Sequence, residues 1–270
     1  MLKNKKSLIA ATVLVAAMIL IASTFAWQQT ANKVNEFIGK KEGFTGHDDF
    51  NGSTKDVYVE NTGSNVIFVR VKLNEAMNLT NNTWRPSSGA DWQTHVFGAT
   101  KEDCGKSSAS GNRFHDYFTW EMGGWKYYMP GDGSRQIVQD NTVYTGAEPG
   151  VKATHDGRII TIAEYLGYTA AQKQSYTGWI YDADGYAYWS QPLPAGEATG
   201  LLLHKVNTAA SLKNTEYYYA IDVIFEAVNI DDIPMWTVGA VSADGSGKTS
   251  VQATANGRTA LEIIASYVEF

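Results

Sequence analysis

Cysteine is almost missing from this chain, Cys104 being the single one in 270 residues. No intramolecular disulfide can form, so the covalent staple that holds many small secreted domains is excluded. Positive charge is also scarce, with 22 Lys and Arg against 28 Asp and Glu and a formal net charge of −6. That balance argues against nucleic acid or anionic lipid as the main partner, since both reward a basic patch. Enzyme signatures are absent too. There is no His-Glu-x-x-His for a helical zinc protease, no Gly-x-Ser-x-Gly nucleophile turn and no Gly-x-x-x-x-Gly-Lys-Ser/Thr phosphate cradle. The five histidines (His47, His95, His115, His155 and His204) stand singly, mostly in polar stretches, and read as surface residues.

Apolar residues form one long run, and it lies at the start. Lys3, Lys5 and Lys6 precede an uncharged stretch from Leu8 to Ala22, followed by Ser23-Thr24-Phe25-Ala26. A basic head, a short apolar middle and small residues two apart make a secretory signal peptide. Cleavage is expected between Ala26 and Trp27, releasing residues 27–270 outside the cytoplasm. With Phe25 and Trp27 the run would reach a marginal span of roughly 20 residues, so a retained anchor is the alternative.

Beyond the leader the pattern is β-like. Asp56–Glu60 and Val66–Leu73 read as strands around the turn Asn61-Thr62-Gly63-Ser64-Asn65. Ile67, Val69, Val71 and Leu73 alternate with Phe68, Arg70 and Lys72, which predicts one buried face and one wet face. Phe114–Met129 reads as an aromatic hairpin about Gly123-Gly124, and Trp179–Trp189 as another about Asp182-Ala183-Asp184-Gly185. Tyr217–Asn229 reads as a long strand with Tyr219, Ile221, Val223, Phe225 and Ala227 on one face. Ile159–Leu166 fits a short helix or a strand. Residues 78–111 are polar and glycine-rich, read as long loops. The tail Leu261–Phe270 is apolar, either a core strand or an interface element. Many short strands between turns, with almost no helical period, predict an all-β sandwich.

Eight Trp and fifteen Tyr supply core or interface area. The aromatic hairpins could offer a sugar-stacking platform, although strand aromatics more often pack inside. Asp182-x-Asp184-Gly185 resembles the start of a calcium loop but reads better as a turn, because Tyr188, Trp189 and Gln191 stand where further oxygen donors and a bidentate Glu are needed. Cys104 reads as a loop cysteine, or as an intermolecular crosslink or a reactive thiol. Residues 27–41, polar with scattered Ala31, Val34, Phe37 and Ile38, read either as a frayed terminus or as an arm able to pair with a neighbour's sheet edge.

Lys55–Leu73 resembles the ENTGxNPxxVRVKL hairpin of the TasA/camelysin-like proteins, on the branch of the BsaA-type biofilm matrix proteins of Gram-positive bacteria. Ser23-Thr24-Phe25-Ala26-Trp27 is similar to the ending cut by SipW-type signal peptidases. Asp184–Trp189 with Pro194–Thr199, and Ile221–Asn229, resemble further family elements. Gln28-Gln29, Asn229 and the insertion Leu79–Gly111 depart from the pattern. The resemblance implies a jelly-roll-like antiparallel β-sandwich over residues 42–270, with long loop insertions and few short helices. It also implies polymerisation into extracellular, pilus-like matrix fibres, the mature N-terminal segment being donated to the next subunit. The donor arm would be residues 27–41, with Trp27, Ala31, Val34, Phe37 and Ile38 as its anchors. The acceptor edge would lie among Val57, Val59, Ile67, Val69, Val71, Val223 and Phe225. Expected partners are a second copy of the chain, the signal peptidase and room for a minor accessory subunit, with the membrane met only through the uncleaved leader. No catalytic residue, metal ligand or cofactor is expected. Two other readings stand beside this one: a monomeric carbohydrate- or surface-binding module, and a camelysin-like metalloprotease.

Overall fold

The computed structural model describes residues 34–37, 43–50, 54–96, 107–122, 125–127, 135–137, 157–212, 215–243 and 245–268. The leader, most of the arm, Cys104 and His155 lie outside them. In chain order the strands are β1 (Val34–Phe37), β2 (Phe44–Phe50), β3 (Thr54–Asn61), β4 (Phe68–Asn78), β5 (Gln93–Thr94), β6 (Phe118–Met122) and β7 (Trp125–Tyr127). They continue as β8 (Arg135–Ile137), β9 (Ile159–Thr161), β10 (Trp179–Tyr181), β11 (Tyr186–Trp189), β12 (Leu203–Thr208) and β13 (Tyr218–Val228). Four short helices are interspersed among the described residues: α1 (Ile162–Gly167), α2 (Ala170–Ser175), α3 (Ile233–Thr237) and α4 (Ala255–Ala265).

The strands form two sheets, as the sequence predicts. One runs β1-β13-β4-β11-β10-β9, with β5 added beside β4; the other runs β2-β3-β12-β6-β7-β8. The alternating residues of β4 and β13 point between the sheets. Ile67, Val69, Val71 and Leu73 meet Tyr219, Ile221, Val223 and Phe225 there, opposite Val57, Val59, Trp120, Met122 and Leu203 of the second sheet. Both aromatic hairpins form, β10 pairing with β11 through Trp179 and Trp189, and β6 with β7. Gly185 closes the first with φ +86°, a conformation natural only to glycine. Ile159–Leu166 is both structures in succession, strand β9 running into α1.

Three expectations are corrected. The segments around Asn61–Asn65 are not a hairpin. β3 belongs to the second sheet and β4 to the first, so the chain turns a corner between layers. The buried Asn61 carboxamide fixes that corner, donating to the carbonyls of Asn65 and Leu193, both at 2.8 Å. A turn motif alone does not reveal whether its strands pair.

Second, β4 has no wet face. Phe68 and Arg70 are buried beneath a helical layer, in a second core built with Tyr186, Ile233, Met235, Trp236, Leu261 and Ile264. The apolar tail therefore contributes mainly to helix α4, started by Thr254, whose hydroxyl accepts from the Gly257 amide at 3.0 Å.

Third, strand pairing is not wholly antiparallel: β1 lies parallel to β13, and β9 to β10.

Arg70 is wholly buried in the helical layer. Its Nε and Nη2 donate to Glu226 Oε2 at 2.9 and 2.6 Å, and Nη2 also donates to Ser250 Oγ and the Val251 carbonyl. The guanidinium lies 4.0 Å over the Tyr186 ring and 4.6 Å from that of Trp236, while the Tyr186 hydroxyl donates to the other Glu226 oxygen. A planar cation that stacks and forks at once is a task for arginine and not lysine. Arg70→Met is expected to strand the Glu226 carboxylate and to cost about 3–5 kcal/mol in urea unfolding. Arg70→Lys should recover only part of that loss.

Candidate functional site

Two places carry more than packing: the outer flank of β13 and a polar cluster inside the main core.

β13 pairs along its whole length with β4, from Tyr218 opposite Asn78 to Val228 opposite Phe68. On its other flank β1 covers four positions, Val34 opposite Ile224 through Phe37 opposite Ala227. Of the residues expected to form an acceptor edge, Val57 and Val59 lie on β3, which is flanked by β2 and β12. Val69 and Val71 lie on β4, flanked by β13 and by β5 and β11, and Ile67 makes an isolated bridge to Leu193 just before β4. Only Val223 and Phe225, on β13, sit on a strand whose outer flank is taken by the N-terminal segment. Of the expected arm anchors, Val34 and Phe37 are in β1; Trp27, Ala31 and Ile38, like the Ala26–Trp27 junction, lie outside the described residues. Trp179, Trp189, Tyr186 and Tyr188 are all buried, so these hairpin rings form core and present no sugar platform.

The cluster runs against the sequence reading. His95 and His115, read as surface histidines, are inside the sandwich, and His47 is buried as well, stacked on Tyr58 at 4.1 Å. Glu75 occupies an inward position of β4 between Leu73 and Met77, where its period demands an apolar residue. It is 0 % exposed, as is His95, and His115 is 1 % exposed. His95 follows β5, the piece of the 78–111 insertion that folds back along β4. Its amide donates to the Leu73 carbonyl at 2.9 Å and its own carbonyl accepts from the Tyr181 hydroxyl at 3.0 Å. His115 comes from the other side, in the short 3-10 turn Phe114–Asp116 that leads into β6.

The three side chains converge. His95 Nδ1 is 3.2 Å from Glu75 Oε1, His115 Nε2 is 3.4 Å from the same oxygen, and the two ring nitrogens are 3.0 Å apart. His115 Nδ1 lies 2.8 Å from the Phe118 carbonyl, which can only accept, so that nitrogen carries the proton and Nε2 faces the cluster. The second Glu75 oxygen accepts from the Tyr219 hydroxyl at 2.5 Å, and that hydroxyl accepts from Trp120 Nε1 at 2.8 Å. The indole of Trp120 also stacks on the His95 ring at 4.1 Å.

Burial alone would raise the Glu75 pKa, but the charge and hydrogen bonds of His115 and His95 outweigh it and hold the carboxyl down at about 2. His95 is pushed down to about 4, first by burial and further by the charge of His115, against its hydrogen bond to Glu75. At neutral pH the cluster therefore contains a carboxylate and a neutral His95. The Tyr219 hydroxyl is shifted well upward by burial and by the adjacent carboxylate, so it stays protonated and donates.

The notion of a catalytic or metal motif in the sequence rests on close spacing along one element, and these residues are twenty positions apart at each step. The one available signal was a charged residue at an inward position of an alternating strand: Glu75 breaks the pattern set by Val69, Val71 and Leu73.

No protein-family model matches this chain, and no curated protein or solved structure is significantly similar to it. Among the described residues no helix is long and apolar enough to cross a membrane.

Tyr219→Phe removes one hydroxyl that serves both Trp120 and Glu75. With two buried groups left short of a partner, equilibrium unfolding is expected to show a loss of roughly 1–3 kcal/mol without change of fold.

Proposed function

We propose that the chain is a secreted structural subunit that polymerises by N-terminal strand donation into extracellular matrix or pilus-like fibres. The observation that carries this reading is the pairing of β1 with β13. The strand comes from the segment that removal of the leader would free, and it lies on the outer flank of a sheet. A four-residue parallel strand joined to the body through a short connection can make the same backbone bonds to its own β13 or to that of a neighbour. The exchange conserves its hydrogen bonds, so protein concentration decides between the two, as in domain swapping. A donor and an acceptor on different faces give a head-to-tail contact, which does not close and grows into a filament. The resemblance of Lys55–Leu73 and of the leader ending to matrix proteins points the same way, and so does the acidic, cysteine-poor composition of a protein that must stay dispersed before assembly. Jelly-roll connectivity and SipW-type processing belong to the same proposal.

Electron microscopy of purified residues 27–270 at rising concentration is expected to give filaments of regular width. Protein lacking residues 27–41 should remain monomeric under the same conditions, and filaments from it would refute strand donation. A crosslink distinguishes the two pairings directly. In a Cys104→Ser background, Val34→Cys with Ile224→Cys places thiols at partnered positions of β1 and β13. Oxidised filaments should then run as a ladder of covalent multimers on denaturing gels, and oxidised dilute monomer as a single species.

A further inference from the structure

We propose that Glu75, His95 and His115 form a structural site for one divalent transition-metal ion, zinc being the best match. The three donor atoms, Glu75 Oε1, His95 Nδ1 and His115 Nε2, stand 3.0 to 3.4 Å from one another. Zinc held tetrahedrally by nitrogen and carboxylate oxygen at about 2.0–2.1 Å sets its donors roughly 3.3–3.4 Å apart, which is nearly this triangle. His115 carries its ring proton on the far nitrogen, so its Nε2 turns a lone pair toward Glu75 and His95. A proton between them or a metal cation can hold the three donor atoms together.

The surroundings favour the cation. A metal-binding histidine ordinarily donates its other ring N–H to a carbonyl, and a metal-binding carboxylate is itself hydrogen-bonded. His115 makes the first bond, to Phe118, and Glu75 the second, from Tyr219, which Trp120 fixes in turn. Two imidazoles with one carboxylate suit zinc among the borderline-soft ions, and disfavour magnesium and calcium, which take all-oxygen shells. The ligands are 0, 0 and 1 % exposed, so no macromolecular substrate reaches them. The centre is therefore a brace between the sheets: Glu75 is on β4 of one sheet, His115 leads into β6 of the other, and His95 ties the 78–111 insertion to both. In a chain without a disulfide it would take the place of one.

Untagged protein purified without chelator is to be analysed for metal by mass spectrometry, then stripped with EDTA and reloaded with zinc or cobalt(II). About one metal ion per chain, a melting temperature that falls on stripping and recovers with zinc, and cobalt d–d bands of tetrahedral intensity are expected. Tyr219→Phe should keep the site but weaken zinc binding by roughly 10–100-fold. Glu75→Gln and the His95→Gln/His115→Gln pair should lose the metal; if they fail to fold, the measurements on the native chain still decide. Protein that carries no metal, takes none from added zinc and melts identically with zinc or EDTA overturns the proposal and leaves a proton-held Glu75–His115 pair. Metal retained undiminished in the folded double histidine variant overturns it as well, placing the ion elsewhere.

Discussion

β4 carries a buried charge on each of its faces, and the layers on either side are organised around that fact. Glu75 points into the space between the sheets and Arg70 into the helical layer, five residues further back on the same strand. An ion taken out of water must be matched or its desolvation costs several kcal/mol. Each of these two is matched by groups that arrive from distant parts of the chain. Glu75 draws in His95, His115 and Tyr219; Arg70 draws in Glu226, Tyr186, Ser250 and Trp236. An apolar strand could pack against its neighbours in several registers, but a strand with these two demands has very few acceptable placements.

The strands were legible in the sequence because period two is a local property. The inward series Ile67 to Leu73 and Tyr219 to Ala227, and the turn at Gly185, follow from residues adjacent in the chain. The helical layer was not legible, since α1, α3 and α4 are short and only jointly cover the outer face of the sheet. Two helix starts were nevertheless written in plain chemistry: Thr161 and Glu164 form a reciprocal cap at α1, and Thr169 with Gln172 does the same at α2. The buried cluster was least visible of all. Its members come from a strand, an insertion and a turn, and nothing but tertiary structure sets their separation. The fibre reading rests on a different kind of information, the leader and a motif resemblance, with the β1–β13 pairing as its physical support.

A sandwich of this size without disulfides relies on non-covalent ties between its layers, and they are unevenly placed. One is Asn61 at the corner, holding the turn and Leu193 together. Another is the Glu75 cluster in the middle of the main core, and a third is the Arg70 network on the far side of β4. Lys55 and Asp48 add a buried ion pair between β2 and β3. All four involve β3, β4 or the segment between them.

The corner at Asn61 has a consequence in time. Because β3 and β4 do not pair with each other, neither gains a β-partner from the strand next to it across that turn. Apart from the two-residue β5, β4 waits for β11 and β13, from residues 186–228, and the β2–β3 pair waits for β12 before its sheet can extend. A chain emerging N-terminus first therefore leaves one flank of β3 and one of β4 open until more than three quarters of it has appeared. Non-local pairing of this kind folds slowly and exposes sticky edges meanwhile. A protein built this way gains from a route that delivers the whole chain before folding begins, and from being kept away from its own copies until β13 is in place.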